Sequence, residues 1–234
     1  MTRWIALSFC LLLPLMVCQA NAEPSGSVTG RAYDLDGDGL LYTEEHLYPS
    51  QYQHMVTYRE ASGEVFAKKR LDYSHSFTVP DFRQENARNG EVIEVVRTDS
   101  DKLEVTYQAN DKQNPKQKRL AIESLMVVDA GFDHFVREHW ETLRNGRSLT
   151  IAYLAPSRRQ TVALRINEVQ CSSSSDVCFN IAPDAWLLGL VLEPIFLAYE
   201  GDTKRLRRFK GRGNIADKYG DYQTVDIRYE YPIE

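Results

Sequence analysis

The sequence predicts a mainly β protein: a strongly curved antiparallel sheet or open barrel, with one amphipathic helix over about 131–145 and a short apolar helix over about 184–192. Three observations carry this reading. Apolar and polar residues alternate with period two over many short segments, turn-forming residues separate those segments, and one long segment keeps a helical period instead.

The alternation is clearest in residues 225–231, where Val225, Ile227, Tyr229 and Tyr231 interleave with Asp226, Arg228 and Glu230, as a half-buried strand requires. Leu103, Val105 and Tyr107 repeat it, as do Leu149, Ile151 and Tyr153, and Val162, Leu164 and Ile166. Weaker versions occupy 53–59, 64–73, 91–98 and 195–200. Between them lie Ala61-Ser62-Gly63, Thr98-Asp99-Ser100-Asp101, the stretch 110–115 and Gly201-Asp202-Thr203, all rich in residues that favour turns. Connections this short join antiparallel neighbours, because a parallel crossover needs a dozen residues or more.

The helical segment places Phe132, Phe135, Val136, Trp140 and Leu143 on one arc, with Arg137, Glu138, Glu141 and Arg144 opposite. Asp129 is positioned to cap its start, Asp133 sits in the first turn, and Gly146 suits a left-handed stop. The later segment 184–192 is the most apolar stretch after the first 22 residues. Pro183 and Pro194 bracket it, which favours a short helix over a buried strand.

The chain has 234 residues, 28 Lys and Arg against 33 Asp and Glu, and a formal charge of −5, which argues against binding nucleic acid. Apolar residues make up 43%, enough for a folded core, and no uncharged apolar run is long enough for a transmembrane span. Arg3, the apolar run 4–17 and Ala20-Asn21-Ala22 read as a cleaved secretory signal over 1–22. Residues 23–234 are then a single β-rich domain in the periplasm or outside the cell. Leu15-Met16-Val17-Cys18 approaches a lipoprotein box, although Val17 is bulkier than such boxes take; lipidation of Cys18 and an uncleaved anchor stay open. In an oxidising compartment Cys171 and Cys178 form one structural disulfide around residues 172–177.

The strongest formal motif is Asp34-Leu35-Asp36-Gly37-Asp38-Gly39 followed by Glu45. It matches an EF-hand calcium loop with Asp34, Asp36, Asp38 and the closing Glu45 as ligands, but the flanks do not form helices. A β-hairpin turned by the Asp-Gly pairs is the competing reading. His139 falls within the apolar arc of the helix, as a packed ring or as the base of a hydrolase, while His134 points elsewhere. No nucleophile elbow, phosphate loop or dinucleotide fingerprint occurs, so no catalytic residue is assigned. The run 204–212 is strongly basic: either an edge strand blunted by charge or a contact for an anionic surface.

Curved antiparallel sheets that receive an apolar helix are suited to hold greasy ligands. The leading expectation is therefore non-catalytic binding of an apolar or lipid-like molecule by Trp140, Trp186, Leu187, Leu190 and Phe196. Arg205, Arg207 and Arg208 would then address an anionic headgroup or the membrane surface. The alternatives are an envelope interaction module with a calcium-binding loop at 34–45, and a hydrolase using His139; no cofactor other than calcium is implied.

Three stretches resemble a group of uncharacterised exported bacterial proteins: Asp129-Ala130-Gly131-Phe132-Asp133 through Trp140, Ala155-Pro156-Ser157-Arg158, and Trp186-Leu187-Leu188 through Pro194 to Arg205-Leu206. They lie mostly in the later half of the chain, and the resemblance implies no activity. Strands wrapping apolar helices are also similar, in architecture alone, to the half-barrel of the outer-membrane lipoprotein carriers.

Overall fold

The computed structural model describes residues 27–35, 39–184 and 194–232. The expected signal segment with Cys18, the acidic residues Asp36 and Asp38, and Trp186, Leu187 and Leu190 lie outside these residues.

The first run of strands comprises β1 (Val28–Tyr33), β2 (Leu40–Ser50), β3 (Gln53–Glu60) and β4 (Val65–Asp72). It continues with β5 (Asp81–Asn86), β6 (Glu91–Asp99), β7 (Lys102–Gln108) and β8 (Lys116–Ala121). After β9 (Met126–Val127) come the helices α1 (Gly131–Glu138) and α2 (Trp140–Arg144). The second run is β10 (Leu149–Ala155), β11 (Gln160–Val169), β12 (Asp176–Pro183), β13 (Ile195–Glu200), β14 (Leu206–Ala216) and β15 (Tyr222–Glu230). All fifteen belong to one sheet, running from β8 to β1, across to β15, and on to β9. Each run is a meander of neighbours in chain order, as the short turns require, and β1 pairing with β15 fuses the two. Among the described residues only β9 runs parallel to its neighbour.

A sheet this long cannot lie flat, because each strand is twisted against the last, and here it curls until its two runs meet. Ile215 and Val225 of the second run pack on Tyr58, Phe66 and Ala67 of the first. A bulged stretch of β14 between Arg212 and Ala216 turns two carbonyls across this seam. Gln84 Nε2 donates to the carbonyl of Asn214 (3.0 Å), and Asn86 Nδ2 to that of Ala216 (2.7 Å). At the same seam the buried carboxyl of Glu91 accepts hydrogen bonds from the hydroxyls of Tyr222 and Tyr107 on one oxygen.

Burial pushes the Glu91 carboxyl above its ordinary range, and the two tyrosine hydrogen bonds only partly offset this. Burial, and then the neighbouring carboxylate, push Tyr107 up to about 12. A carboxyl whose pKa is higher folded than unfolded supports the fold below its unfolded value and withdraws that support as pH rises through the folded one. Glu91→Gln keeps an oxygen that accepts from both tyrosines and removes the titration. The variant is therefore expected to match the parent near pH 4 and exceed it at neutral pH, by about 1.4 kcal/mol per unit of upward shift. Urea unfolding across pH 4–8 measures this; parallel curves for the two proteins would contradict it.

The helices lie on the second run. Phe135, Val136, Trp140 and Leu143 bury against Ile151, Ile166, Phe179, Leu197 and Tyr199, each large side chain contributing about 1.5–3 kcal/mol. The expected single helix over 131–145 is two: the backbone leaves helical geometry at His139 (φ −98°, ψ 15°). Asp129 does not cap it. Its backbone is left-handed (φ 45°), its side chain is drawn away by Lys69, and Ala130 stands at the N-cap with no side-chain bond. Gly131 begins the helix where a Cβ would come within 2.3 Å of the Thr78 carbonyl, so only glycine lets the β4–β5 connection approach. Gly146 has the expected left-handed stop (φ 74°).

The disulfide Cys171–Cys178 is present, its Cα atoms 5.4 Å apart, closing the β11–β12 turn for about 2.5 kcal/mol of loop-closure entropy. The acidic motif lies on the β1–β2 hairpin, in which Tyr33 pairs with Leu40 and the Asp34 amide donates to the Gly39 carbonyl (3.2 Å). Glu45 stands on β2 opposite Thr29, about 16 Å beyond Leu40 at the strand rise, and pairs with Arg59 (3.3 Å). It therefore stands away from Asp34, as the hairpin reading of the motif expects; Asp36 and Asp38 lie outside the described residues. The basic run 204–212 is not an edge either: β14 lies between β13 and β15. The sheet ends in β9 on one side and in β8 on the other, the latter exposed along most of its length and carrying Lys116, Lys118 and Arg119.

Candidate ligand-binding cavity

Curling leaves a hollow of about 960 Å³ between the two runs, with α1 along one wall. That is the upper part of the usual range for small-molecule sites. Leu164, Ile181, Leu197 and Phe209 of the second run, with Val56 and Ile227, make its wall partly apolar. Alternation explains why. Ile195, Leu197 and Tyr199 of β13 all face inward, and so do Glu44, His46 and Tyr48 of β2 and His54, Val56 and Tyr58 of β3.

The polar part of the wall is ordered by two networks. In the first, Lys69 Nζ of β4 donates to both carboxylate oxygens of Asp129 (2.6 and 2.5 Å), the side chains only 3% and 7% exposed. Asn214 Nδ2 adds a bond to Asp129 Oδ1 (3.3 Å), and the lysine lies over the rings of Tyr58 and Phe82. This pair ties the first run, the start of α1 and the bulge of β14 together.

In the second network, Glu44 Oε2 accepts from His46 Nε2 (3.1 Å), with the Tyr229 hydroxyl 3.4 Å from the same oxygen. A neutral His46 that donates at Nε2 accepts at Nδ1, so His54 Nε2 is its donor (2.9 Å). Tyr48 stacks on His54, ring centroids 4.5 Å apart at 15°. Burial, and then His46, Lys69 and His134, hold His54 well below the usual histidine range, so it is neutral. Burial and then Glu44 push Tyr58 and Tyr229 above theirs, so both hydroxyls stay protonated.

A third group stands where α1 meets the β13–β14 turn. Arg137 pairs with Asp133 one helical turn away (Nε to Oδ2, 2.8 Å). Lys204 lies over the Trp140 ring (5.3 Å) and Arg205 over that of Tyr231 (5.3 Å). Among the described residues the Tyr199 hydroxyl and Asp133 Oδ1 are buried without a hydrogen bond of ordinary geometry, although both residues line the cavity. Burial, then the charge of Asp133, raises the Tyr199 pKa, so the hydroxyl keeps its proton and remains a donor.

Of the expected ligand contacts that are described, Arg205 lines the cavity and the others do not. Trp140 is core, 4% exposed, edge-on to Phe179 and Tyr199. Phe196 falls between two inward residues and takes the outer face. In β14, Ala198 pairs with Arg208 but Tyr199 with Leu206, so Arg207 is an extra residue and alternation breaks. Arg207 then pairs with Glu200 (3.2 Å) and Arg208 with Asp226 (2.7 Å at both oxygens) on the outside, while Leu206 and Phe209 face in. The histidines exchange their expected positions: His134 lines the cavity, and His139 stacks on Phe135 outside it. Glu44, His46, His54, Lys69 and Tyr199 belong to no functional motif in the sequence, yet the first three follow from alternation in 44–48 and 54–58.

Fold and cavity together define the class: an open, β-barrel-like protein made from one strongly curved sheet around an internal hollow. No family model matches the chain, and no curated protein matches it. Among solved structures it is similar to a beta-barrel-like protein of a domain of unknown function, DUF1849, from Brucella abortus. That likeness has 10% identity and a TM-score of 0.42, and covers 88% of this chain and 95% of the other. No helix among the described residues is long and apolar enough to cross a membrane.

Proposed function

We propose that this is an exported, non-catalytic binding protein that holds an apolar or lipid-like ligand in the cavity, its polar end toward Lys204 and Arg205. The observation that carries the reading is the hollow itself: about 960 Å³, and apolar around Leu164, Ile181, Leu197 and Phe209. Export rests on the amino-terminal 22 residues; the mass of the protein recovered from its own envelope, beginning after Ala22 or carrying an acyl chain at Cys18, tests it.

The test of binding is uptake of N-phenyl-1-naphthylamine, a neutral apolar dye that fluoresces out of water. The protein is expected to take it up at pH 8. Phe209→Glu places a charge on a half-buried position of the wall and is expected to weaken uptake at least tenfold while the melting transition persists. Equal uptake by the folded variant, or none by the parent, would dismiss the reading.

A further inference from the structure

We propose that the cavity takes up an anionic amphiphile together with a proton, which the Glu44–His46–His54 chain in its wall accepts. The inference rests on the binding role above and adds the charge of the ligand and its linkage to pH.

In the neutral chain the Glu44 carboxylate orients everything that follows: His46 donates to it, and His54 donates to His46. An added proton has one place where both of its consequences are satisfied. His46 becomes an imidazolium, with Nε2–H on Glu44 and Nδ1–H on His54. His54 accepts at Nε2 once its own proton sits on Nδ1. The burial that keeps His54 neutral leaves His46 as the resting place, between a carboxylate and an acceptor.

The other groups facing the chain do not take its part. Lys69 on β4 is held by Asp129, Tyr48 and Tyr229 bring hydroxyls, and His134 on α1 is packed among Tyr73 and Phe77. Proton uptake thus cancels the charge of Glu44, a carboxylate 4% exposed in the wall of a cavity that also carries Lys204 and Arg205. An anionic guest gains from that cancellation and a neutral guest does not. By linkage the anion raises the proton affinity of the chain in equal measure.

The experiment uses two dyes on the full protein between pH 8 and pH 6: 1-anilinonaphthalene-8-sulfonate, anionic throughout, and neutral N-phenyl-1-naphthylamine. Affinity for the sulfonate is expected to rise about tenfold as pH falls, as one charge about 10 Å away gives at an effective dielectric near 20, and affinity for the neutral dye to stay within about twofold. His46→Gln and His54→Gln, each with its melting transition intact, are expected to lose the rise. Glu44→Gln is expected to bind the sulfonate at pH 8 as the parent does at pH 6, and His134→Gln to keep the rise. Uptake of neither dye would defeat the binding role. Uptake of both, with a flat sulfonate curve, a rise that survives in His46→Gln and His54→Gln, or a rise lost in His134→Gln, would defeat the proton linkage alone.

Discussion

Lys69→Ala is expected to cost about 3–5 kcal/mol of stability, because it strands the Asp129 carboxylate in a site where the pair is 3% and 7% exposed. The loss is larger than that of a surface ion pair for two reasons. The aspartate keeps only the weak 3.3 Å bond from Asn214, and its left-handed backbone (φ 45°) gives it no freedom to swing out without disturbing the start of α1. Lys69→Met with Asp129→Asn removes both charges and keeps a residue that tolerates φ above zero. The double variant is expected to recover most of the loss, since a buried pair replaced as a unit costs little. Urea unfolding of the two single variants and the double reads this directly; a double variant as unstable as the sum of the singles would show that the charges do not act on one another.

Trp140→Ala is expected to destabilise by about 3–5 kcal/mol and to leave dye uptake per folded molecule unaltered. The indole lies edge-on to Phe179 and Tyr199 at 5.7 Å in each case, inside the cluster that seats the helices on the sheet. Its removal leaves a void that this close-packed cluster cannot refill. Were Trp140 a ligand contact, the opposite pattern would appear: near-parental melting with uptake lost. Thermal melting together with dye titration below the transition separates the two.

How far the site could be read in advance follows from particular strands. Residues 103–107, 149–153 and 162–166 alternate cleanly and lie within β7, β10 and β11; 225–231 alternates through the end of β15, and the weaker 195–200 coincides with β13. β5, β8 and β12 are less legible. Their patterns mix charges with apolar residues because they sit at a seam, an edge and beside the disulfide turn. Asp226 breaks the rule differently: it alternates as an outward residue yet is 4% exposed, because Arg208 and Arg228 cover it. Those arginines outweigh the cost of burial and hold its carboxyl below the usual range.

The three arginines expected to act together were separated by one bulge, and a bulge is one residue of slack in a ladder that local sequence does not announce. A helix cap is a local signal, and Asp129 carries it, but the side chain is held instead by a lysine sixty positions earlier in the chain. His46 and His54 share a face by alternation alone, but their contact depends on the shift in the β2–β3 pairing between Leu47 and Ser50.

Strand faces, turns, the helical stretch and the disulfide all follow from neighbours a few residues apart, and are legible along the chain. Period, propensity and short loop closure are local properties. Which faces enclose the hollow, which charges meet across it and which arginine reaches it emerge in the folded sheet. Those outcomes depend on the register and curl of a fifteen-stranded sheet, summed over pairings between residues distant in the chain.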